Sequence, residues 1–123
     1  MKPGRTGLAR LIDATVYSIN GLRAAFINEA AFRQELLLIA ILGVASFWLG
    51  ENPLEWLILI MPLFLLLIVE LLNSAVESTV DRIGSELHEL AGRAKDLGSA
   101  AVMLSLALIA ITWGVVAWRH FSV

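Results

Sequence analysis

The sequence of 123 residues contains no cysteine, only three prolines and few charged residues. The absence of cysteine excludes disulfide bridges, thiolate metal sites, iron–sulfur clusters and thiol nucleophiles. Charged residues make up 16% of the chain, against about 25% in ordinary soluble domains. The net charge is −2, there is no basic cluster of the kind that binds nucleic acid, and neither GxxxxGK(S/T) nor GxGxxG occurs. Because 59% of the residues are apolar, we expect the chain to reside in a lipid bilayer.

Three segments are long and apolar enough to cross the roughly 30 Å hydrocarbon core of a bilayer. We expect them at about residues 30–50, 54–80 and 96–119. Ahead of them, apolar residues recur at helical spacing over residues 8–19, which predicts an amphipathic surface helix at about residues 6–27. Residues 1–18 contain basic residues but neither an uninterrupted apolar core nor an evident cleavage site, so no cleaved signal peptide is expected. The sequence therefore predicts one all-α membrane domain over residues 1–123.

A second stretch with the same helical spacing lies between the second and third spans, over residues 83–97. It predicts another helix lying on the membrane. Gly92 and Gly98 are expected to break or bend it.

Basic residues are distributed unevenly among the segments that flank the spans. The first 35 residues hold five lysines and arginines, residues 51–55 hold none, and residues 81–96 hold three. The positive-inside rule then predicts a cytoplasmic N-terminus. Trp48, Trp56 and Trp118 would lie together at the outer interface, as an aromatic belt requires.

Acidic side chains lie within or against the predicted spans, namely Glu35, Glu70 and Glu77. An ionisable group in hydrocarbon is costly and usually has a function. On a helix, Glu70 and Glu77 share one face with Asn73 and Asp81. This polar stripe either joins helices by hydrogen bonds alone or forms a functional site, and two glutamates on one face favour the second interpretation.

The depth of each polar group follows from counting about 1.5 Å per helical residue from the outer tryptophans. Four groups converge on the cytoplasmic interface: Glu29, Glu77, Lys95 and Ser99. Glu35 and Glu70 lie deeper. This level suits a reaction between a lipid and a dissolved cosubstrate, whereas a proton-coupled transporter places its acid near the midplane. The carboxylates suit Mg2+, Lys95 suits a phosphate chain, and Glu70 suits a general base.

Two runs of sequence carry a specific resemblance to a known family. They are GLRAAFINEAAFRQE at residues 21–35 and VELLNSAVESTVDRIGSELHELAGRAKDLGSAAV at residues 69–102. Together with the three-span layout, they resemble the prokaryotic integral-membrane diacylglycerol kinases of the Gram-negative type. The resemblance implies a homotrimer in the bacterial inner membrane, with active sites shared between subunits. It also implies phosphorylation of diacylglycerol to phosphatidic acid with ATP and Mg2+.

The resemblance further implies roles for individual residues. Glu70 would take the proton from the lipid hydroxyl with support from Asn73, and Glu29 and Glu77 would hold the metal. The nucleotide would contact Arg10, Tyr17, Glu29, Glu77, Glu86, His88, Lys95 and Asp96. The lipid would contact Arg10, Arg23, Glu35, Glu70, Asn73 and Ser99.

Three other functions remain compatible with parts of the sequence. The same chemistry on another lipid alcohol, such as undecaprenol, needs the same groups. A small proton-coupled multidrug exporter also uses a membrane glutamate, although such chains usually have four spans and an acid at mid-depth. A non-catalytic membrane adaptor predicts that Glu77→Gln leaves every measured activity unchanged.

Overall fold

The computed structural model describes residues 5–84 and 88–122, apart from the side chain of His88. Within those ranges the chain forms α1 (Gly7–Asn28), α2 (Ala30–Leu49), α3 (Pro53–Ile83) and α4 (His88–Phe121). Helices α2, α3 and α4 are each long and apolar enough to cross a membrane. The all-α class and the three membrane-spanning segments expected from the sequence are therefore confirmed.

A single residue separates α1 from α2. Glu29 has extended backbone angles (φ −116°, ψ 108°), so it ends the first helix and begins the second. The Arg33 guanidinium donates to the carbonyl oxygens of Phe26, at 2.7 Å, and Ile27, at 3.1 Å. Carbonyl groups in the last turn of a helix lack hydrogen-bond donors within that helix, and here the Arg33 side chain provides the missing donors. The break takes Glu29 out of both helical repeats.

The turn between α2 and α3 is short because its residues suit a helix start. Asn52 caps α3 by accepting a hydrogen bond from the Glu55 backbone nitrogen at 2.9 Å, and Pro53 occupies the first helical position. A Cβ atom at Gly50 would come within 3.2 Å of the Trp56 backbone nitrogen and Cα atom of α3, so glycine permits the close approach of the two helices.

Helix α3 packs against both α2 and α4 and contributes the most deeply buried apolar side chains. Leu63 and Leu66 pack with Ile109 of α4. The Trp113 indole nitrogen donates to the Leu59 carbonyl oxygen at 3.0 Å, in the turn before Pro62. Pro62 has no N–H to donate to the carbonyl four residues earlier, that of Ile58. The indole bond to the next carbonyl, that of Leu59, ties α4 to the α3 backbone in the same turn.

Side-chain contacts fix an antiparallel register between α3 and α4: Asp81 with Lys95, Leu59 with Trp113, and Glu55 with Arg119. Residue numbers fall along one helix as they rise along the other. The C-terminal part of α3, with its polar stripe, therefore lies level with the N-terminal part of α4. We call this the Asp81–Lys95 end of the bundle.

Many large apolar side chains point away from the core. Val44, Phe47 and Trp118 are each more than 70% exposed. Apolar surface of this extent is unusual for a soluble monomer and suits contact with lipid or with another protein chain.

The second surface helix expected over residues 83–97 is not a separate element. Residues 88–97 are the first turns of α4, which runs unbroken through Gly92 and Gly98. A glycine within a helix costs only about 1 kcal/mol relative to alanine. Packing against α3 outweighs that cost, since Gly98 lies directly against the side chain of Asn73.

Candidate active site

Carboxyl groups from three parts of the chain meet near the Asp81–Lys95 end. The hydroxyl oxygen of Ser74 lies 3.2 Å from Glu29 Oε1 and 3.4 Å from Glu70 Oε2. Glu35 of α2 faces the Glu70 carboxyl. Glu70 is 3% exposed, and Glu35 Oε1 is buried without a hydrogen-bond partner among the described residues. We call Glu29, Glu35 and Glu70 the carboxylate cluster.

The cluster owes its geometry to helical spacing on α3 and to the break before α2. Glu70 and Ser74 are four residues apart, so they lie one above the other on the same face. Glu29 reaches that face because its backbone leaves the helical repeat between α1 and α2. Glu70 is buried and Glu29 and Glu35 are half-buried, and ionisable groups placed in this way are costly unless they bind something or exchange protons.

Asn73 contacts a different carboxylate from the one expected. Its amide nitrogen donates to Glu77 Oε1 at 3.3 Å, whereas the hydroxyl that contacts Glu70 belongs to Ser74. The reason is again spacing, since Asn73 and Glu77 are four residues apart on the same helix. Support of Glu70 by Asn73, as expected from the sequence, is therefore not what the contacts show.

A basic group lies beside this part of α3. Lys95 Nζ of α4 is 2.8 Å from Asp81 Oδ1, and Glu77 also attracts the same ammonium group. Both members of the ion pair are exposed, with 44% of the Lys95 side chain accessible. Asp96 and Ser99 lie on exposed positions of the same helix. The structure thus places Lys95 near Glu77, where it is accessible to a dissolved anion.

A cleft of about 570 Å³ separates α1 from the C-terminal half of α3. Its walls include Glu29 and Ser74, and small or apolar residues form most of the rest, among them Gly21, Ala25 and Leu71. The cleft is large enough for part of a lipid molecule. Of the carboxylate cluster, Glu29 lines this cleft.

Several predicted site residues are not gathered into this arrangement. Arg10, Tyr17 and Arg23 lie at exposed positions of α1, and none of the three lines the α1–α3 cleft. Glu86 and the side chain of His88 lie outside the described residues.

Two residues that contribute to the geometry were not among the predicted site residues. The first is Ser74, and its four-residue spacing from Glu70 is a signal that could have found it. Serine on a membrane helix, however, usually indicates only contacts between helices. No comparable signal exists for Arg33, because neither glycine nor proline marks the helix break that it stabilises.

The oxygen donors fit a magnesium ion that also binds a substrate. Within residues 5–84 and 88–122, no group of three or more histidine, cysteine, aspartate or glutamate side chains is arranged to hold a metal. Magnesium usually takes only one or two carboxylates from a protein and completes its shell with water and substrate phosphates. Glu29 and Glu77 supply hard oxygen donors of that kind, and the accessible Lys95 lies nearby.

These features define a small helical integral-membrane protein with a polar, acid-rich site at one end of its bundle. The chain belongs to the prokaryotic diacylglycerol kinase family, whose model matches residues 16–117. It is 51% identical over 122 residues to the diacylglycerol kinase of Escherichia coli K12, which covers 99% of this chain and 100% of that protein. The diacylglycerol kinase of Haemophilus influenzae is 53% identical over 109 residues, 89% of this chain and 92% of that protein. That of Pseudomonas aeruginosa is 49% identical over 113 residues, 92% of each chain.

Proposed function

We propose that this protein transfers the γ-phosphoryl group of ATP to the free hydroxyl group of diacylglycerol, forming phosphatidic acid and ADP. The observation that carries the proposal is the convergence of Glu29 and Glu70 on Ser74 in a chain of this family. The reaction belongs at the cytoplasmic face of the bacterial inner membrane, because the acid-rich end also carries the basic flanks of the chain.

Glu70 is the general base in this proposal. Its carboxylate accepts the proton of the lipid hydroxyl while the lipid oxygen bonds to the γ-phosphorus. The bond from that phosphorus to the bridging oxygen breaks, and ADP leaves with the electron pair. Burial of Glu70 keeps water away from the reacting atoms, since only 3% of the residue is exposed.

Glu29 and Glu77 are the residues that would hold Mg2+, and the ion supplies neutralisation of phosphate charge when bound. Lys95 adds a positive charge beside Glu77 and is accessible from the aqueous side. We assign it to the phosphate chain of ATP. Asp96, Glu86, His88, Arg10 and Tyr17 are proposed to contact the nucleotide on the strength of the family membership alone.

The α1–α3 cleft is the proposed site for the upper part of the lipid. Its apolar walls suit the first methylene groups of acyl chains, and its polar end lies beside the carboxylate cluster, where the glycerol hydroxyl would react. The remaining proposed lipid contacts are Arg10, Arg23, Glu35, Asn73 and Ser99. Of these, Glu35 faces the Glu70 carboxyl.

A homotrimer with a cytoplasmic N-terminus is the proposed assembly. Extensive exposed apolar surface on the three long helices supports contact with further copies as well as with lipid. Helix α1, which leaves Leu8, Leu11 and Val16 exposed, is proposed to lie on the membrane surface.

The function is tested by an assay of labelled phosphate transfer from ATP and Mg2+ with purified protein in mixed micelles. We expect transfer to diacylglycerol, a smaller rate with undecaprenol, and loss of at least about a hundredfold in kcat for Glu70→Gln, since general-base catalysis contributes about 10²–10⁴. Glu55→Gln is the matched control, because Glu55 is also a buried glutamate of α3 but lies at the opposite end. Absence of transfer to diacylglycerol would refute the function, and a near-normal rate for Glu70→Gln would refute the assignment of the base.

A further inference from the structure

We propose that Ser74 is a positioning residue whose hydroxyl group holds Glu29 and Glu70 in a fixed relation to each other. The inference rests on the proposed function, in which these two glutamates are the metal ligand and the base. The hydroxyl oxygen lies 3.2 Å from Glu29 and 3.4 Å from Glu70, so one small group contacts both carboxylates. The contact to Glu29 joins residues 45 positions apart in the chain.

This hydroxyl group bonds differently from six other serine and threonine hydroxyls on these helices, which donate to carbonyl oxygens of their own helix. Thr79 donates to the carbonyl oxygen of Ala75 at 2.8 Å, and Ser105 donates to that of Ala101 at 2.9 Å. Serine and threonine within helices commonly bond in this way to the carbonyl four residues earlier. The Ser74 hydroxyl instead contacts carboxylates, one of them on another segment. Its position is therefore set by the site and not by its own helix.

The chemistry of a hydroxyl group explains why serine suits this place. Two ionised carboxylates repel each other, and a donor placed between them offsets part of that repulsion. A serine hydroxyl has one proton to donate and two lone pairs to accept. It can donate to Glu70 or to Glu29, and it can accept a hydrogen bond from Glu70 after that group has taken up a proton. Ser74 thus donates to one of the two carboxylates before the transfer, and afterwards it can bond to both, donating to Glu29 and accepting from protonated Glu70.

When the hydroxyl is removed, we expect the carboxylates of Glu29 and Glu70 to lose their fixed positions relative to each other. A group that hydrogen-bonds to a metal ligand typically changes metal affinity or activity by about 10–100-fold when it is mutated. Ser74→Ala should therefore lower kcat by about tenfold or more and raise the Mg2+ concentration for half-maximal rate. The KM for diacylglycerol should change by less than about twofold. The hydroxyl orders the two carboxylates and does not itself bind the lipid, so its loss affects kcat and not KM.

The experiment compares Ser74→Ala with Ser74→Thr, which keeps the hydroxyl, and with the control Thr79→Val, which removes a hydroxyl bonded only to its own helix. Rates are measured with diacylglycerol, ATP and Mg2+ in mixed micelles. Binding of Mn2+ alone is measured by electron paramagnetic resonance as a readout that needs no turnover. We expect Ser74→Thr and Thr79→Val to match the original protein in both measurements, and Ser74→Ala to bind Mn2+ about tenfold more weakly.

The outcomes separate this inference from the proposed function. Unchanged kcat and unchanged Mn2+ affinity in Ser74→Ala would overturn the inference while leaving the kinase activity intact. Equal losses in Ser74→Ala and Ser74→Thr would also overturn it, because packing and not the hydroxyl would then be responsible. Absence of phosphate transfer in the original protein would refute the function, and the Mn2+ binding series would still decide the role of Ser74.

Discussion

Replacing Gly98 by alanine should disturb the active site through Asn73. A Cβ atom at Gly98 would overlap Asn73 Oδ1 and come within 3.1 Å of Asn73 Cγ. The atoms in the way belong to the end of a side chain, so the asparagine can rotate while the helices stay in place. Rotation, however, breaks the hydrogen bond from the Asn73 amide to Glu77 at 3.3 Å.

Two opposing terms set the size of the effect. Alanine in place of a helical glycine stabilises by about 1 kcal/mol. Loss of a hydrogen bond to a charged group costs about 1.5–3 kcal/mol. The free energy of unfolding of Gly98→Ala should therefore fall by about 0.5–2 kcal/mol. The rate should fall by about tenfold, because the carboxylate of Glu77 is no longer held.

The assay is a double-mutant cycle read by denaturant unfolding in mixed micelles and by the phosphate-transfer rate. In an Asn73→Ala background the obstacle is gone, so Gly98→Ala should no longer destabilise. Gly114→Ala is the control on the same helix, since a Cβ atom there meets nothing within 4 Å. It should be neutral or stabilising. A penalty for Gly98→Ala that persists undiminished without the Asn73 side chain would refute the reasoning.

Three further predictions follow from the contacts. Glu77→Gln should raise the Mg2+ concentration for half-maximal rate by about tenfold or more, and an unchanged requirement would remove Glu77 from the metal site. Lys95→Met should raise the KM for ATP by about tenfold. Asp81→Asn should leave the unfolding free energy nearly unchanged, because its ion pair with Lys95 is exposed. Arg119→Gln should lower that free energy by about 1 kcal/mol without changing kcat, because Arg119 pairs with Glu55 at the far end of the bundle. A changed kcat would contradict the last of these.

The membrane-spanning segments could be predicted from the sequence because hydrophobicity acts locally. A run of about 20 apolar residues must form a helix in lipid, whatever its neighbours are. The shared face of Glu70 and Glu77 on α3 follows in the same way, since helical spacing alone places them together. The family could also be recognised, because its polar residues stand at fixed intervals along one helix.

Contacts between helices could not be predicted in this way. The bond between Ser74 and Glu29 depends on the break at Glu29, which no glycine or proline marks. The continuation of α4 through Gly98 depends on the packing of that glycine against Asn73. In the first case the helix breaks where no local residue favours a break, and in the second it continues through a glycine that locally disfavours helix. Both outcomes accompany contacts between residues that are far apart in the chain.

The sequence by itself determined that this chain is a three-span helical membrane protein with acids on one face of its second span, because helix formation in lipid and helical spacing depend only on nearby residues. The tertiary structure decided which of those acids meet, since Glu29, Glu35 and Glu70 lie on different segments. Only the packing of α3 against α2 and against the junction of α1 and α2 brings the three carboxyl groups together.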